Sequence, residues 1–164
     1  MADTTENPPP FGPHLGRLRW VWVRDPLYFI TTCTAGRRPM LAEPAVAALL
    51  REEWLAAERR HGWRVGRYVI MPDHVHFFAA PVDEAKTLSE FVGHWKEWTA
   101  KAILRAVGRA GPLWPHRFFD HVIRSRQSCA EKWEYVRQNP GRAGLACRPE
   151  DWPYAGSVQF DDPL

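Results

Sequence analysis

The fold is decided by the stretch Arg67–Ala80, which reads RYVIMPDHVHFFAA. Its apolar, β-branched and aromatic residues are typical of strands, and Pro72-Asp73 marks a turn between two of them. Because side chains alternate along a strand, His74 and His76 share one face while Val75 lies on the other. Two imidazoles side by side on a rigid strand form half of a divalent-metal site, although surface or locally hydrogen-bonded histidines are the commoner case at this spacing.

Hydrophobic periodicity on either side of this hairpin predicts alternating strands and helices. The predicted elements are a strand at Leu27–Thr34, a helix at Glu43–Arg60, strands at Trp63–Met71 and His74–Ala80, a helix at Leu88–Val107, a strand at Phe118–Arg124 and a third helix from Ser128 to about Asn139. This order predicts an α+β fold, a ferredoxin-like four-stranded antiparallel sheet covered by helices, with an extra C-terminal helix. Ser128 and Glu131 match a capping box at the start of that helix.

Length and composition indicate an ordinary globular protein. We expect one domain over residues 14–164, preceded by a flexible, proline-rich arm at residues 1–13. The three cysteines form no Cys-x-x-Cys pair, which argues against a zinc knuckle or a disulfide framework. No apolar run has membrane-spanning length and the first residues do not resemble a signal peptide, so we expect a cytoplasmic protein without a membrane partner.

Positive charge is concentrated in the second half of the chain. The net charge is +3, but residues 94–148 contain eleven Lys and Arg against four Asp and Glu. This bias favours a phosphate-rich partner such as nucleic acid, and a merely solvated surface explains it equally well. The nine tryptophans offer core volume and also flat surfaces on which bases stack.

The third helix carries a tyrosine outside its apolar stripe. At roughly 100° per residue, Cys129, Trp133 and Val136 define one face, and Tyr135 lies about 125° from the centre of that face. Asn139 is predicted one turn later on the side of Tyr135. A surface tyrosine is the ordinary explanation, but an amide oxygen on the same side is an acceptable ligand for Mg²⁺ or Mn²⁺.

Several segments in a fixed order carry a specific family resemblance. They are Tyr28–Thr32 (YFITT), Tyr68–His76 (YVIMPDHVH), Leu88–Ala100, Leu113-Trp114, Phe119–Arg124 (FDHVIR), Glu134–Leu145 and Pro149–Tyr154 (PEDWPY). In these segments the chain resembles the single-tyrosine HUH transposases, and within them the REP-associated tyrosine transposases. Gly141 departs from the valine that commonly follows Asn-Pro in the family.

The resemblance implies a role for each candidate residue. It assigns His74 and His76 as metal ligands, Asn139 as a third ligand and Tyr135 as the nucleophile, so that the extra helix is catalytic and residues 14–164 form a single HUH transposase-like domain. The implied cofactor is a divalent metal, Mg²⁺ or Mn²⁺. The implied reaction is cleavage and rejoining of single-stranded, hairpin-bearing DNA, either REP-like or from a transposon end, through a 5′-phosphotyrosine intermediate.

A single-stranded DNA substrate implies that the protein is associated with the nucleoid. It also implies that basic and aromatic side chains contact the DNA. The candidate DNA-contact residues are Lys96, Trp98, Lys101, Arg105, Trp114, Arg124, Arg126, Arg137 and Arg142. His121 is a further histidine within reach of the metal, or simply a strand residue. The family includes monomers and homodimers, and both remain open. Two other functions also remain open: a DNA-hairpin-binding protein that no longer cuts, and a metal-dependent nucleotide hydrolase.

Overall fold

The computed structural model of the chain describes residues 26–161. The predicted arm at residues 1–13 lies outside this range, as do both ends of the predicted domain. The elements are β1 Leu27–Cys33, α1 Pro44–His61, β2 Trp63–Met71, β3 His74–Pro81, α2 Leu88–Ala106, β4 Phe119–Ile123, α3 Arg126–Arg137, α4 Asn139–Arg142 and β5 Ala155–Ser157. Within the described range, no helix is both long enough and apolar enough to cross a membrane.

The strands form one antiparallel sheet in the order β4-β1-β3-β2-β5. The predicted mixed fold with an antiparallel sheet covered by helices is confirmed. The sheet has five strands where the sequence predicts four, because β5 pairs with the outer edge of β2. That strand is three residues long and reads Ala-Gly-Ser, a composition without the β-branched or aromatic residues that mark strands.

Helices α1 and α2 cover one side of the sheet, which we call the core face. Val75 and Phe77 of β3 point to this side and are fully buried, together with Trp54 of α1 and Trp95 of α2. The two indoles stack in parallel at 5.7 Å between ring centroids. Aromatic pairs of this kind add to the free energy gained by burying their area, so the core face is the main source of stability.

The opposite side of the sheet, which we call the histidine face, carries His74 and His76. A smaller apolar cluster lies there, including Phe29 and Phe78, and α3 covers it through Cys129. Alternation along β1 and β3 therefore divides the sheet as the sequence predicts, with apolar residues toward α1 and α2 and the imidazoles on the other side.

Helix α3 begins and ends earlier than the sequence predicts. Its N-cap is Ser125, whose hydroxyl accepts a hydrogen bond from the amide of Ser128 at 3.1 Å, so the predicted capping box at Ser128 is wrong. The helix ends at Arg137, and Asn139 starts the separate short helix α4. Pro140 fits the first turn of α4, where its missing amide hydrogen leaves no helical hydrogen bond broken.

Candidate active site

The two histidines lie side by side on β3, the middle strand of the sheet. Strand pairing places His74 opposite Cys33 of β1 and His76 opposite Thr31. The two rings are nearly perpendicular, with centroids 4.8 Å apart. Because β3 is bonded to β1 and β2 on both sides, the separation of the imidazoles is fixed by the sheet.

A carboxylate fixes the orientation of His74. Its Nδ1 is 2.6 Å from Oδ1 of Asp73, and Oδ2 of Asp73 accepts from Nε of Arg37 at 2.9 Å. With its Nδ1 hydrogen donated to the carboxylate, His74 keeps the lone pair of Nε2 for a ligand. Asp73 thus occupies the turn between β2 and β3 and also orients an imidazole.

His76 is held by a hydrogen bond and by ring stacking. Its Nδ1 is 2.7 Å from the hydroxyl of Thr31, and its ring stacks on Phe29 at 5.5 Å between centroids. Burial lowers the pKa of His76 to about 3, and the positive charges of His74, Lys132, Arg142 and Arg37 act in the same direction. His76 is therefore neutral at physiological pH, the form in which an imidazole binds a metal ion.

Asn139 reaches His76 from α4. Its Nδ2 donates to Nε2 of His76 at 3.0 Å, and its Oδ1 accepts from the guanidinium of Arg142. The sequence places Asn139 on the same helix as Tyr135, which is wrong, since α3 ends two residues earlier. The amide arrives at the histidines nevertheless, because α4 turns the chain back toward the sheet.

These donors fit a divalent cation. Two atoms bound to one ion at about 2.1 Å and at right angles lie about 3 Å apart, which is the separation of the His76 and Asn139 side chains. A half-turn of the amide about its Cβ–Cγ bond exchanges Nδ2 for Oδ1 and presents an oxygen to the ion, and in that orientation Oδ1 no longer accepts from Arg142. Among the described residues no three His, Cys, Asp or Glu side chains form such a group, so the amide is needed to complete a three-ligand set.

Tyr135 lies on the outer side of α3, as the helical periodicity predicts. Val136 is buried against the sheet, whereas Tyr135 is 63% exposed. The guanidinium of Arg142 lies 4.3 Å from the centroid of the Tyr135 ring and donates to the Tyr135 carbonyl at 2.6 Å. Arg142 thereby joins Tyr135 to Asn139, and Asn139 joins both to His76.

Two candidate DNA-contact residues are buried, and for them the sequence prediction is corrected. Lys96 is 8% exposed, and its ammonium donates to the carbonyls of Pro115 and Arg117 at 2.9 and 2.8 Å. Trp114 is also 8% exposed and donates to the hydroxyl of Thr99 at 2.9 Å. Both side chains hold the segment that leads into β4 and are not available to DNA.

Three other candidates lie on α2, on the far side of the sheet from the histidines. Trp98 is 51% exposed and lies under the guanidinium of Arg60, 5.1 Å from its ring centroid. Lys101 is paired with Glu97 at 2.6 Å, and Arg105 is exposed near the end of the helix. A strand bound at His74 and His76 would have to pass around the sheet to meet them.

The remaining candidates lie near α3. Arg124 and Arg126 are exposed on either side of its N-cap. Arg137 is ion-paired with Glu134 at 2.5 Å and with Glu150 at 3.3 Å, and the bond to Glu134 is the main cause of its raised pKa. Arg142 belongs to the site itself.

Sequence reasoning missed several residues that shape the site. Thr31 and Arg37 contact the histidine network, and Lys132 lies 5.2 Å from the ring centroid of Phe29. The only sequence signal for Thr31 is its position in the strand that pairs with β3, and that signal requires knowledge of the register. His121 is exposed on β4, one strand farther from the site, opposite Phe29.

Comparison with known proteins shows the family of the chain. The family described as Transposase IS200 like matches residues 23–139, and the chain belongs to that family. It is 23% identical over 142 residues to the REP-associated tyrosine transposase of Escherichia coli strain K12, a match that covers 86% of this chain and 82% of the relative. Membership places the chain among enzymes that bind, cut and transfer DNA.

A solved structure shares the fold. It is described as a REP-associated tyrosine transposase bound to a REP hairpin, and it superimposes with a TM-score of 0.69 at 22% identity. The match covers 84% of this chain and 79% of that chain. A match of this breadth shows that the two chains share their fold.

Proposed function

We propose that this protein cuts and rejoins single-stranded DNA through a covalent bond to Tyr135, with Mg²⁺ or Mn²⁺ held by His74, His76 and Asn139. The observation that carries the proposal is the contact between Asn139 and His76, which joins α4 to the histidine pair, together with the bridge from Arg142 to Tyr135. Residues from three elements thus converge on one side of the sheet.

The chain's own groups prepare this chemistry. Asp73 and Thr31 hold the two imidazoles through their Nδ1 atoms, so that both rings lie in fixed orientations on the same face of β3. The bound cation supplies charge that polarises the scissile phosphate and stabilises the transition state. The exposed phenol of Tyr135 can be approached by a phosphate from solvent.

In the proposed step the phenolic oxygen of Tyr135 attacks phosphorus. A bond forms between that oxygen and phosphorus, and the bond from phosphorus to the 3′ oxygen breaks. The phenolic proton is lost to solvent and the 3′ oxygen leaves as a hydroxyl after taking up a proton. The 5′-phosphotyrosine bond retains the energy of the phosphodiester, so a later 3′-hydroxyl can reverse the step without a nucleotide cofactor.

The proposed substrate is DNA that carries a hairpin, REP-like or from a transposon end. Support comes from the shared fold with a transposase described as bound to a REP hairpin. Arg124 and Arg126 are exposed on either side of the N-cap of α3, and we propose them as phosphate contacts for the strand. Binding by such contacts weakens steeply as salt is raised.

The decisive experiment is incubation with a labelled single-stranded hairpin oligonucleotide and Mn²⁺, followed by denaturing electrophoresis. We expect a protein–DNA adduct that is absent in Tyr135→Phe and retained in Tyr154→Phe, which removes a phenol away from the site. His74→Ala is expected to abolish the adduct while leaving the melting temperature close to that of the parent. Cutting that survives Tyr135→Phe would instead indicate a hydrolase, and hairpin binding without cutting would indicate a binding protein.

A further inference from the structure

A cavity lies at the edge of the sheet where β1 extends beyond β4. The pairing of the two strands ends at Thr31 and Phe119, and β1 continues to Cys33 without a β4 partner. The space beside this open edge has a volume of about 250 Å³ and is lined by Thr31, Thr32 and Cys33 on one side and by Phe118 and Phe119 on the other. It is slightly smaller than the roughly 300–1,000 Å³ of sites for drug-sized molecules, so its size suits a single flat ring system.

The cavity adjoins the histidine pair. Thr31 lines it and also bonds to His76, and Cys33 lines it and is paired with His74. Phe119, Thr31 and His76 lie in register on three neighbouring strands, so the Phe119 and His76 positions are roughly 10 Å apart. One continuous single strand can therefore contact both.

A buried lysine holds the outer wall in place. The ammonium of Lys96 donates to the carbonyls of Pro115 and Arg117 and lies 5.3 Å from the centroid of the Phe118 ring. The wall is thus fixed before any ligand arrives, which reduces the entropy lost on binding. The same contacts place Arg117, itself exposed, at the rim of the cavity.

The lining combines stacking, hydrogen-bonding and charged groups. Phe119 is 47% exposed and lies on the same side of the sheet as the histidines. The Thr31 hydroxyl, which bonds to His76, lies on the same face, and the exposed Arg117 guanidinium is at the rim for a phosphate. Aromatic faces beside a cation are the usual means of holding an unpaired nucleotide.

We infer that this cavity binds one unpaired base of the DNA strand next to the scissile phosphate, with Phe119 as the stacking surface. The inference rests on the proposed function and adds to it a site for the sequence that flanks the hairpin. A base fits the observations better than an apolar peptide side chain, because the cavity adjoins a phosphate-handling centre and has a cation at its rim.

The test compares two oligonucleotides with the same hairpin and the same number of phosphates. One carries a flank of normal nucleotides and the other a flank of abasic sites, and both are titrated against the full-length protein. The parent is expected to bind the normal flank roughly tenfold more tightly, since stacking on an aromatic side chain contributes on that scale. Phe119→Leu is expected to remove this preference, and Phe119→Tyr to keep it.

Trp98→Leu is the matched control, because it removes another exposed aromatic on the far side of the sheet and should leave the preference intact. The inference is overturned if Phe119→Leu retains the preference, if both oligonucleotides weaken equally, or if the parent has no preference. Failure of the proposed function is recognised separately, by the absence of a Tyr135 adduct on either oligonucleotide. An adduct without a base preference would reject the cavity alone.

Discussion

The two sides of the sheet differ in how completely they are covered. On the core face, α1 and α2 bury large aromatic side chains such as Trp54 and Trp95 to 1% exposure or less. On the histidine face, α3 contributes only Cys129 and Val136 as fully buried residues. The core face is closed by packing, whereas the histidine face stays accessible. Stability and the proposed chemistry therefore lie on opposite surfaces of the same strands.

Polar groups follow the same division. On the core face the indole nitrogens of Trp54 and Trp95 are buried without a hydrogen-bond partner in the described part of the chain. On the histidine face His74, His76 and Asn139 all have side-chain partners. The core face therefore tolerates unsatisfied groups because packing compensates for them, whereas the site depends on a connected network that fixes its geometry.

The largest expected effect is on the free energy of unfolding, and it tests whether the core face stabilises the fold more than the histidine face. Trp54 contacts Tyr68, Phe77 and Trp95 with ring centroids 5.0 to 5.7 Å away. Trp54→Ala is expected to lower the free energy of unfolding by about 3–5 kcal/mol, as for other large core truncations. Trp133→Ala on the half-covered histidine face should cost clearly less. Urea denaturation of both variants checks this, and equal losses would mean that the two faces stabilise the fold alike.

The second prediction concerns Arg142 and sharpens the role of the network. The guanidinium of Arg142 contacts both the Tyr135 carbonyl and the Asn139 oxygen. Arg142→Gln removes this pair of contacts, because a glutamine side chain lacks the planar guanidinium. We expect adduct formation to slow about tenfold, a change typical of misplaced reacting groups, with the melting temperature nearly unchanged. Arg109→Gln, at an exposed position after α2 with no proposed role, is the control. A normal rate of adduct formation in Arg142→Gln would show that Tyr135 and Asn139 are held by other means.

The third prediction is a pH dependence that belongs to the core face. His61 is buried at the end of α1 and stacks on His94, with ring centroids 5.4 Å apart. Burial lowers its pKa to about 4, with Lys86, His94 and Arg60 acting in the same direction. In the unfolded chain the pKa is near 6.5, so between these values the unfolded state binds more protons and stability falls as the pH falls.

His61→Phe keeps an aromatic ring in the stack and removes the titrating group. We therefore expect a smaller loss of stability between pH 6.5 and pH 4 than in the parent, measured by denaturant unfolding at several pH values. His116→Phe, an exposed position in the segment before β4, should leave the parent's pH dependence intact. Identical pH dependence in His61→Phe and the parent would show that other groups govern acid stability.

The sequence predicts most strands and helices correctly because each depends on the periodicity and the terminating residues of its own segment. Gly62 ends α1 in a left-handed conformation, as its position after the apolar stripe indicates. The contact between Thr31 and His76 joins residues 45 positions apart and depends on register, which single-sequence patterns do not specify. Asn139 was placed beside the histidines by family resemblance, while helical periodicity gave it the wrong helix.

The DNA-contact residues show a second limit of sequence reasoning. The residue type of a lysine or tryptophan does not show whether its side chain is exposed or buried. Both side chains have large apolar portions that pack well in a protein interior. Lys96 and Trp114 were misassigned for this reason. Phe119, which we propose as a stacking surface, carries no sequence signal for that role because an aromatic residue in a strand is ordinarily attributed to the core.

The short connection between β4 and α3 has a mechanical consequence. Only Arg124 and Ser125 separate the strand that carries Phe119 from the helix that carries Tyr135, and Ser125 is itself the helix cap. Because the connection is this short, the position of β4 in the sheet also fixes where α3 begins. The edge strand and the tyrosine-bearing helix therefore share one junction that is anchored to the sheet.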